Sequence, residues 1–167
     1  MKANAAAGFR SKPLPEGIAA THGTQPKVEE KKDKSEEEHF KELEEEVHRL
    51  LEESATAKVG SNINEALQKA KEAATKEKKI RSLREQNGSL DQVNIDLTFY
   101  VFYNLANMYH ANNLHTEAIN SYTIILKNKQ YPQASRLRVN MGNIYFEQKK
   151  YDLAIKNYNM AIDSTTQ

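Results

Sequence analysis

Apolar and polar positions follow a helical period along most of this chain. From Glu36 to about Thr56, the apolar residues Phe40, Leu43, Val47 and Leu50 recur at steps of three, four and three, and Ser35 stands where an N-cap would precede acidic first-turn residues. A second helix is predicted from Asn62 to about Gln86, led by Asn62 or Asn64 as cap, with Ala66, Leu67, Ala70, Ala73 and Ala74 on one face. Asn87-Gly88 then ends it through a left-handed C-cap. Four further helices are expected: Asp91 to His110, Thr116 to Lys129, Pro132 to Gln148 and Tyr151 to Ser164. Residues 1–35 contain Pro13, Pro15 and Pro26, almost no aliphatics and a mixed-charge run from Lys27 to Lys34. Such a segment buries too little apolar surface to offset its ordering entropy, so a disordered tail is expected there.

The last third of the chain repeats itself. Phe102-x-x-Leu105-Ala106-x-x-Tyr109 with Ala118-x-x-x-Tyr122 is followed by Arg138-x-x-Met141-Gly142-x-x-Tyr145 with Ala154-x-x-x-Tyr158 and Ala161. In each copy the Ala lies nine residues after the first Tyr, and the second Tyr four after that. This register resembles the tetratricopeptide repeat, a pair of antiparallel helices. Its physical basis is close helix crossing: Ala106, Gly142, Ala118 and Ala154 let the rods approach, and Tyr109, Tyr122, Tyr145 and Tyr158 fill the wedges beside them. Arg138 and Phe102 stand where the pattern has Trp, and the 36-residue spacing from Ala106 to Gly142 is longer than the usual repeat, with the extra residues placed around Gln130-Tyr131-Pro132. Residues 36–90 read as a degenerate first hairpin of the same kind, with Leu50, Ser54 and Ala57 at the eroded positions. Residues 91–167 read as two repeat units, the chain stopping before a next one. The expected fold class is all-α, tetratricopeptide-type hairpins stacked as a right-handed superhelix behind a disordered N-terminal tail.

Composition agrees with this division. Of thirteen Phe and Tyr residues, eleven lie from Phe99 onward, so the packed core is expected mainly in the last third. A net charge of +1 supplies no general drive toward nucleic acid or membranes. The absence of cysteine removes disulfides and thiolate metal sites, and no apolar run reaches signal-peptide or membrane-spanning length.

Catalytic chemistry has little support in the residues. Of the five histidines, His22, His39, His48, His110 and His115, no two share an i,i+4 face with an acidic partner at metal-ligand spacing, so no metal site and no cofactor are expected. No Gly-rich phosphate loop or nucleophile elbow occurs, and an enzyme acting on a small molecule is not expected. The acidic residues around Glu44 are assigned to the wet side of their helix, supported by pairs such as Lys41 with Glu45 and Glu45 with Arg49. The cluster Lys76, Lys78, Lys79, Arg81 and Arg84 lacks interleaved aromatics and reads as a solvated helix end, not a nucleic-acid patch.

What remains is surface for protein partners. In a stack of tetratricopeptide repeats the first helices line the groove, and by position these contribute Tyr100, Tyr103, Asn107 and His110, then Arg136, Val139, Asn143 and Phe146. Repeats of this family that clamp a peptide's terminal carboxylate would carry Lys at Tyr103 and Asn at Asn107 and Asn140. Both Asn are present and the Lys is missing.

A narrower resemblance rests on longer runs. Asn94-Ile95-Asp96-Leu97-Thr98 entering Phe102-Tyr103-Asn104-Leu105-Ala106-Asn107, then Ile124-Ile125-Leu126-Lys127-Asn128-Lys129 and Asn140-Met141-Gly142-Asn143-Ile144-Tyr145, are similar to the large tetratricopeptide-repeat subunit family of intraflagellar transport complex B. Ala66-Leu67-Gln68-Lys69-Ala70-Lys71-Glu72-Ala73 fits the amino-terminal region of that family. The resemblance implies a non-enzymatic scaffold that holds other complex B subunits in ciliary transport trains, at the cilium, its base and in the cytoplasm. The alternative is a generic cytosolic adaptor binding peptide or helical segments of chaperone or assembly partners.

Overall fold

The computed structural model describes residues 27–164. It contains six α-helices: α1 (Lys27–Val59), α2 (Ile63–Gln86), α3 (Ile95–Ala111), α4 (His115–Lys127), α5 (Leu137–Glu147) and α6 (Tyr151–Asp163). Short 3-10 turns at Leu90–Gln92 and Pro132–Arg136 precede α3 and α5, and no strand occurs among the described residues. The helices form three hairpins, α1 with α2, α3 with α4 and α5 with α6, stacked through α2 on α3 and α4 on α5. This is the all-α, tetratricopeptide-type architecture that the sequence predicts.

Several boundaries differ from expectation for local reasons. The tail expected over 1–35 lies outside the described residues as far as residue 26, and from Lys27 onward it is α1 instead. Ser35 therefore sits within that helix and does not cap it: the run from Lys27 has no Gly or Pro and is rich in Lys and Glu, which propagate helix well. Asn62 caps α2, accepting from the Glu65 backbone N–H and donating to Glu65 Oε2 at 2.6 Å. Asn94 caps α3 through the Leu97 N–H at 3.0 Å, which moves the helix start past the predicted Asp91.

All three hairpins turn in the same way. Ser61, Asn113 and Lys149 adopt φ of 62°, 59° and 59° one residue beyond the helix cap. Around each, the two hydrogen bonds of a Schellman motif close the helix: Asn62 N–H to Ala57 O, Leu114 N–H to Tyr109 O and Lys150 N–H to Tyr145 O, with the inner bonds from Ser61, Asn113 and Lys149 themselves. Gly88 closes α2 by the same geometry, as expected, with φ of 69°. Aligned on the left-handed residue, Leu50, Ser54 and Ala57 of α1 stand level with Phe102, Ala106 and Tyr109 of α3 and with Arg138, Gly142 and Tyr145 of α5.

The small residues meet where the rods cross. Ala106, Ala118 and Ala154 are buried, as is Gly142, beneath the Tyr158 ring. In the first hairpin the buried Ser54 takes this place, and its hydroxyl donates to Ala66 O at 2.8 Å, a side-chain to backbone contact that requires close approach of the helices. Three connected cores follow. Phe40, Val47, Leu50, Ala73, Ile80, Leu97 and Val101 join α1, α2 and α3. Ala66, Leu67, Ala70, Leu105 and Met108 continue the α2–α3 seam. Ala106, Ala118, Tyr122, Ile125, Leu137, Met141 and Ile144 join α3, α4 and α5. Burial of this kind stabilises by about 25 cal/mol per Å² of apolar surface removed from water.

Candidate functional site

The eight groove residues occupy equivalent positions in two hairpins: Tyr100 with Arg136, Tyr103 with Val139, Asn107 with Asn143 and His110 with Phe146. Their environments differ. Tyr100 and Phe146 are each 58% exposed, with Tyr100 edge-on to Phe99 and Phe146 edge-on to Tyr151. Tyr103 is half-buried, stacked on Phe99 at 5.9 Å and packed against the α3–α4–α5 core. Asn107 Oδ1 accepts from the Tyr122 hydroxyl at 2.6 Å, and Asn143 Oδ1 accepts from the Tyr158 hydroxyl at 2.9 Å. The same bond thus recurs in both hairpins, tying the second helix to the first.

This bond also bears on the carboxylate clamp. Asn140 Nδ2 donates to the same Tyr122 hydroxyl at 3.3 Å, so both Asn residues that a clamp would use converge on Tyr122. Burial pushes the Tyr122 phenol up to about 12, keeping it a neutral donor.

Arg136 and Val139 line a cavity of about 290 Å³ with Tyr158, Ala161 and Ile162, between α5 and α6. The equivalent residues of the preceding hairpin include Tyr103, Tyr122, Ile125 and Leu126, which share a core with Leu137, Met141 and Ile144 of α5. The cavity thus occupies the place where, one hairpin earlier, the next helix packs. Val139 belongs to this stacking surface as well as to the exposed face of α5.

Of the basic cluster on α2, Lys78 and Lys79 are exposed as expected of a solvated helix end, but Lys76, Arg81 and Arg84 are not. Lys76 pairs with Glu46 of α1 at 2.8 Å, Arg81 with the buried Glu77 at 2.7 Å, and Arg84 with Glu37 of α1 at 3.1 Å. Thr98 of α3 also donates to Glu77, at 2.6 Å. Arg84 is itself buried, lies 4.1 Å from the centre of the Phe40 ring and donates to Gln92 at 3.0 Å. The acidic face of α1 is correspondingly partnered across the hairpin, with Glu53 on Lys69 at 2.7 Å. In place of the i,i+4 pairs expected of Lys41 with Glu45 and of Glu45 with Arg49, α1 pairs Arg49 with Glu46, at 3.6 Å, and forms these interhelical pairs. Hydrogen bonds from Arg84, Lys76 and Lys69 hold the carboxyls of Glu37, Glu46 and Glu53 below their ordinary range. Their role is to join two helices, with antiparallel pairs placed nearly symmetrically about Ser61.

One grouping was invisible in the spacing of histidines along the chain. His110 at the end of α3, His115 at the start of α4 and Glu147 at the end of α5 come together in space. His110 Nε2 lies 2.8 Å from Glu147 Oε2, so this groove residue is engaged with a neighbouring hairpin. No helix among the described residues is long and apolar enough to cross a membrane.

Comparison with known proteins places this architecture. The tetratricopeptide-repeat profile matches residues 135–163, the α5–α6 hairpin with its approach. The chain is 42% identical to the intraflagellar transport protein 88 homolog of Homo sapiens over 98% of its own length. It spans 20% of the length of that relative. The resemblance drawn from the long runs in α3, α4 and α5 therefore extends over 98% of the chain.

Proposed function

We propose that this chain, similar along its length to intraflagellar transport protein 88 homolog, is a non-catalytic scaffold segment of the intraflagellar transport B complex. It holds other transport subunits in ciliary trains, at the cilium and its base. The observation that carries this reading is the 42% identity across 98% of the chain, joined to a stack of helical hairpins with open faces. We read α1–α2 as a degenerate first repeat, because its turn at Ser61 and its crossing residue Ser54 reproduce the geometry of the two later hairpins.

The partner face is the exposed side of α3 and α5. Tyr100, Arg136 and Phe146 are its open members, and aromatic and Arg side chains carry much of the energy of protein interfaces, about 2 kcal/mol or more each at a hot spot. Asn107 and the exposed Asn143 are tied to the second helix of each hairpin through Tyr122 and Tyr158. Tyr103, Val139 and His110 complete it at the seam between hairpins.

The test is affinity capture of the full-length protein from ciliated cells, followed by identification of what co-purifies. Recovery of intraflagellar transport B subunits is expected. Recovery of chaperones in their place would overturn the transport reading in favour of a general cytosolic adaptor, a role already disfavoured by the engagement of Asn107 and Asn140 with Tyr122.

A further inference from the structure

We propose that His110, His115 and Glu147 form a Zn²⁺ site that staples the second hairpin to the third. The ligand-capable atoms of the three residues lie within 4.8 Å of one another. They come from three elements: the last turn of α3, the first residue of α4 and the last residue of α5. Two imidazoles and a carboxylate form a His₂Glu donor set, which suits Zn²⁺ far better than the all-oxygen shells that Mg²⁺ and Ca²⁺ require.

The geometry needs only side-chain adjustment. Ligand atoms about 2.0–2.2 Å from a tetrahedral zinc stand roughly 3.3 Å from each other. His110 Nε2 and Glu147 Oε2, at 2.8 Å, are already closer than that, so an ion entering between them spreads a pair that now shares a proton. His110 then binds through Nε2 with its ring proton on Nδ1, since only a deprotonated nitrogen can ligate. His115 closes the set by a change in ring position. Its Nδ1 is shielded from water and has no hydrogen-bond partner, so no competing bond at that atom holds the ring in place. The two rings are 5.9 Å apart and inclined at 56°, not stacked, which leaves their edges free to converge.

Electrostatics favour a cation there. The C-terminal ends of α3 and α5 carry the partial negative charge of their helix dipoles, and Glu147 adds a full one, which together outweigh the partial positive charge at the start of α4 beside His115. The fourth coordination position is left to water. Because α3 and α4 belong to one hairpin and α5 to the next, the ion fixes their relative orientation, and binding to the folded state alone raises stability by mass action.

Titration of ZnCl₂ into the tag-free, chelator-stripped chain, followed by calorimetry and by the histidine ring signals in NMR, decides the matter. One ion per chain is expected, with the ring signals of His110 and His115 shifting and a melting temperature that rises with zinc but not with MgCl₂. Glu147→Gln and His115→Asn should each weaken binding at least tenfold, with helix content by circular dichroism unchanged. The double variant His39→Asn with His48→Asn should bind as the parent does. Absence of saturable one-to-one binding, or shifts confined to His22, His39 or His48, would overturn the proposal. The ring signals of the parent chain decide it even if a variant fails to fold.

Discussion

Tyr158 lies across Gly142 so closely that a Cβ on the glycine would come within 2.7 Å of Tyr158 Cδ1. One hairpin earlier, Ala106 accommodates the buried Tyr122 at the same crossing. The third hairpin has therefore been drawn tighter, and only glycine permits its present packing. Gly142→Ala gains about 1 kcal/mol of helix propensity but forces Tyr158 aside, an overpacking cost of about 1–3 kcal/mol. Chemical denaturation should show a net loss of about 1 kcal/mol. In a Tyr158→Ala background the same change should stabilise, because the ring is gone and the propensity gain remains. Stabilisation in both backgrounds would contradict the close crossing.

Arg84 joins α2 to α1 and to the turn before α3, through Glu37 and Gln92, over the face of Phe40. Arg84→Ala removes a buried guanidinium with several partners, and a loss of about 3 kcal/mol is expected in equilibrium unfolding. Arg84→Lys keeps the charge but not the two-pronged bond to Glu37, and should recover less than half of that loss. Full recovery by lysine would mean that charge alone is what matters at this position.

Stability should fall at both extremes of pH. Glu37, Glu46 and Glu53 have folded-state pKa values below the ordinary 4.5, so their contribution is complete above about pH 4.5 and is lost as pH drops through the lowered values. Tyr122 has its pKa raised from 10.0 to about 12, so above pH 10 the unfolded chain loses the phenolic proton first and stability declines up to about pH 12. Melting temperature against pH should show a plateau between these limbs. The acidic limb should also be sensitive to salt, because the pairs of Glu46 and Glu53 are partly exposed and screened. A melting temperature that holds steady down to pH 2 would exclude a structural role for these interhelical pairs.

Lys149 and Ser61 hold left-handed conformations without being glycine. Lys149→Gly should stabilise the chain by about 0.5–1 kcal/mol, since glycine adopts this backbone without a Cβ penalty. Lys149→Val should destabilise it, and thermal melts of the two variants give the comparison directly. Equal melting temperatures would mean that the α5–α6 turn is not a Schellman closure in solution.

The parts of this structure legible in the sequence were those set by neighbours along the chain. Ala106, Ala118, Gly142 and Ala154 announced themselves because a helix crossing demands small residues at a fixed register, and Asn87-Gly88 because a helix end demands a left-handed residue. Arg84 and His115 did not, since their neighbours lie in other helices, nor did the buried Glu77, which also accepts from Thr98 of α3. The pairing of Glu37 with Arg84 depends on how α1 folds back on α2, and the nearly symmetric placement of those pairs about Ser61 becomes readable only once the turn is located. Likewise Asn107 looked like a groove residue from its position, yet its side chain is engaged by Tyr122. Ser35 had the chemistry of a cap but lay within a run that propagates helix on both sides.

The scaffold reading is tested most directly at its open aromatic residues. Tyr100→Ala with Phe146→Ala in the full-length protein removes two exposed rings that take no part in the buried cores. Quantitative capture of transport subunits from ciliated cells should then fall more than tenfold, with helix content and melting temperature close to those of the parent. Undiminished capture of the same subunits by the folded double variant would contradict the assignment of partner binding to the exposed face of α3 and α5.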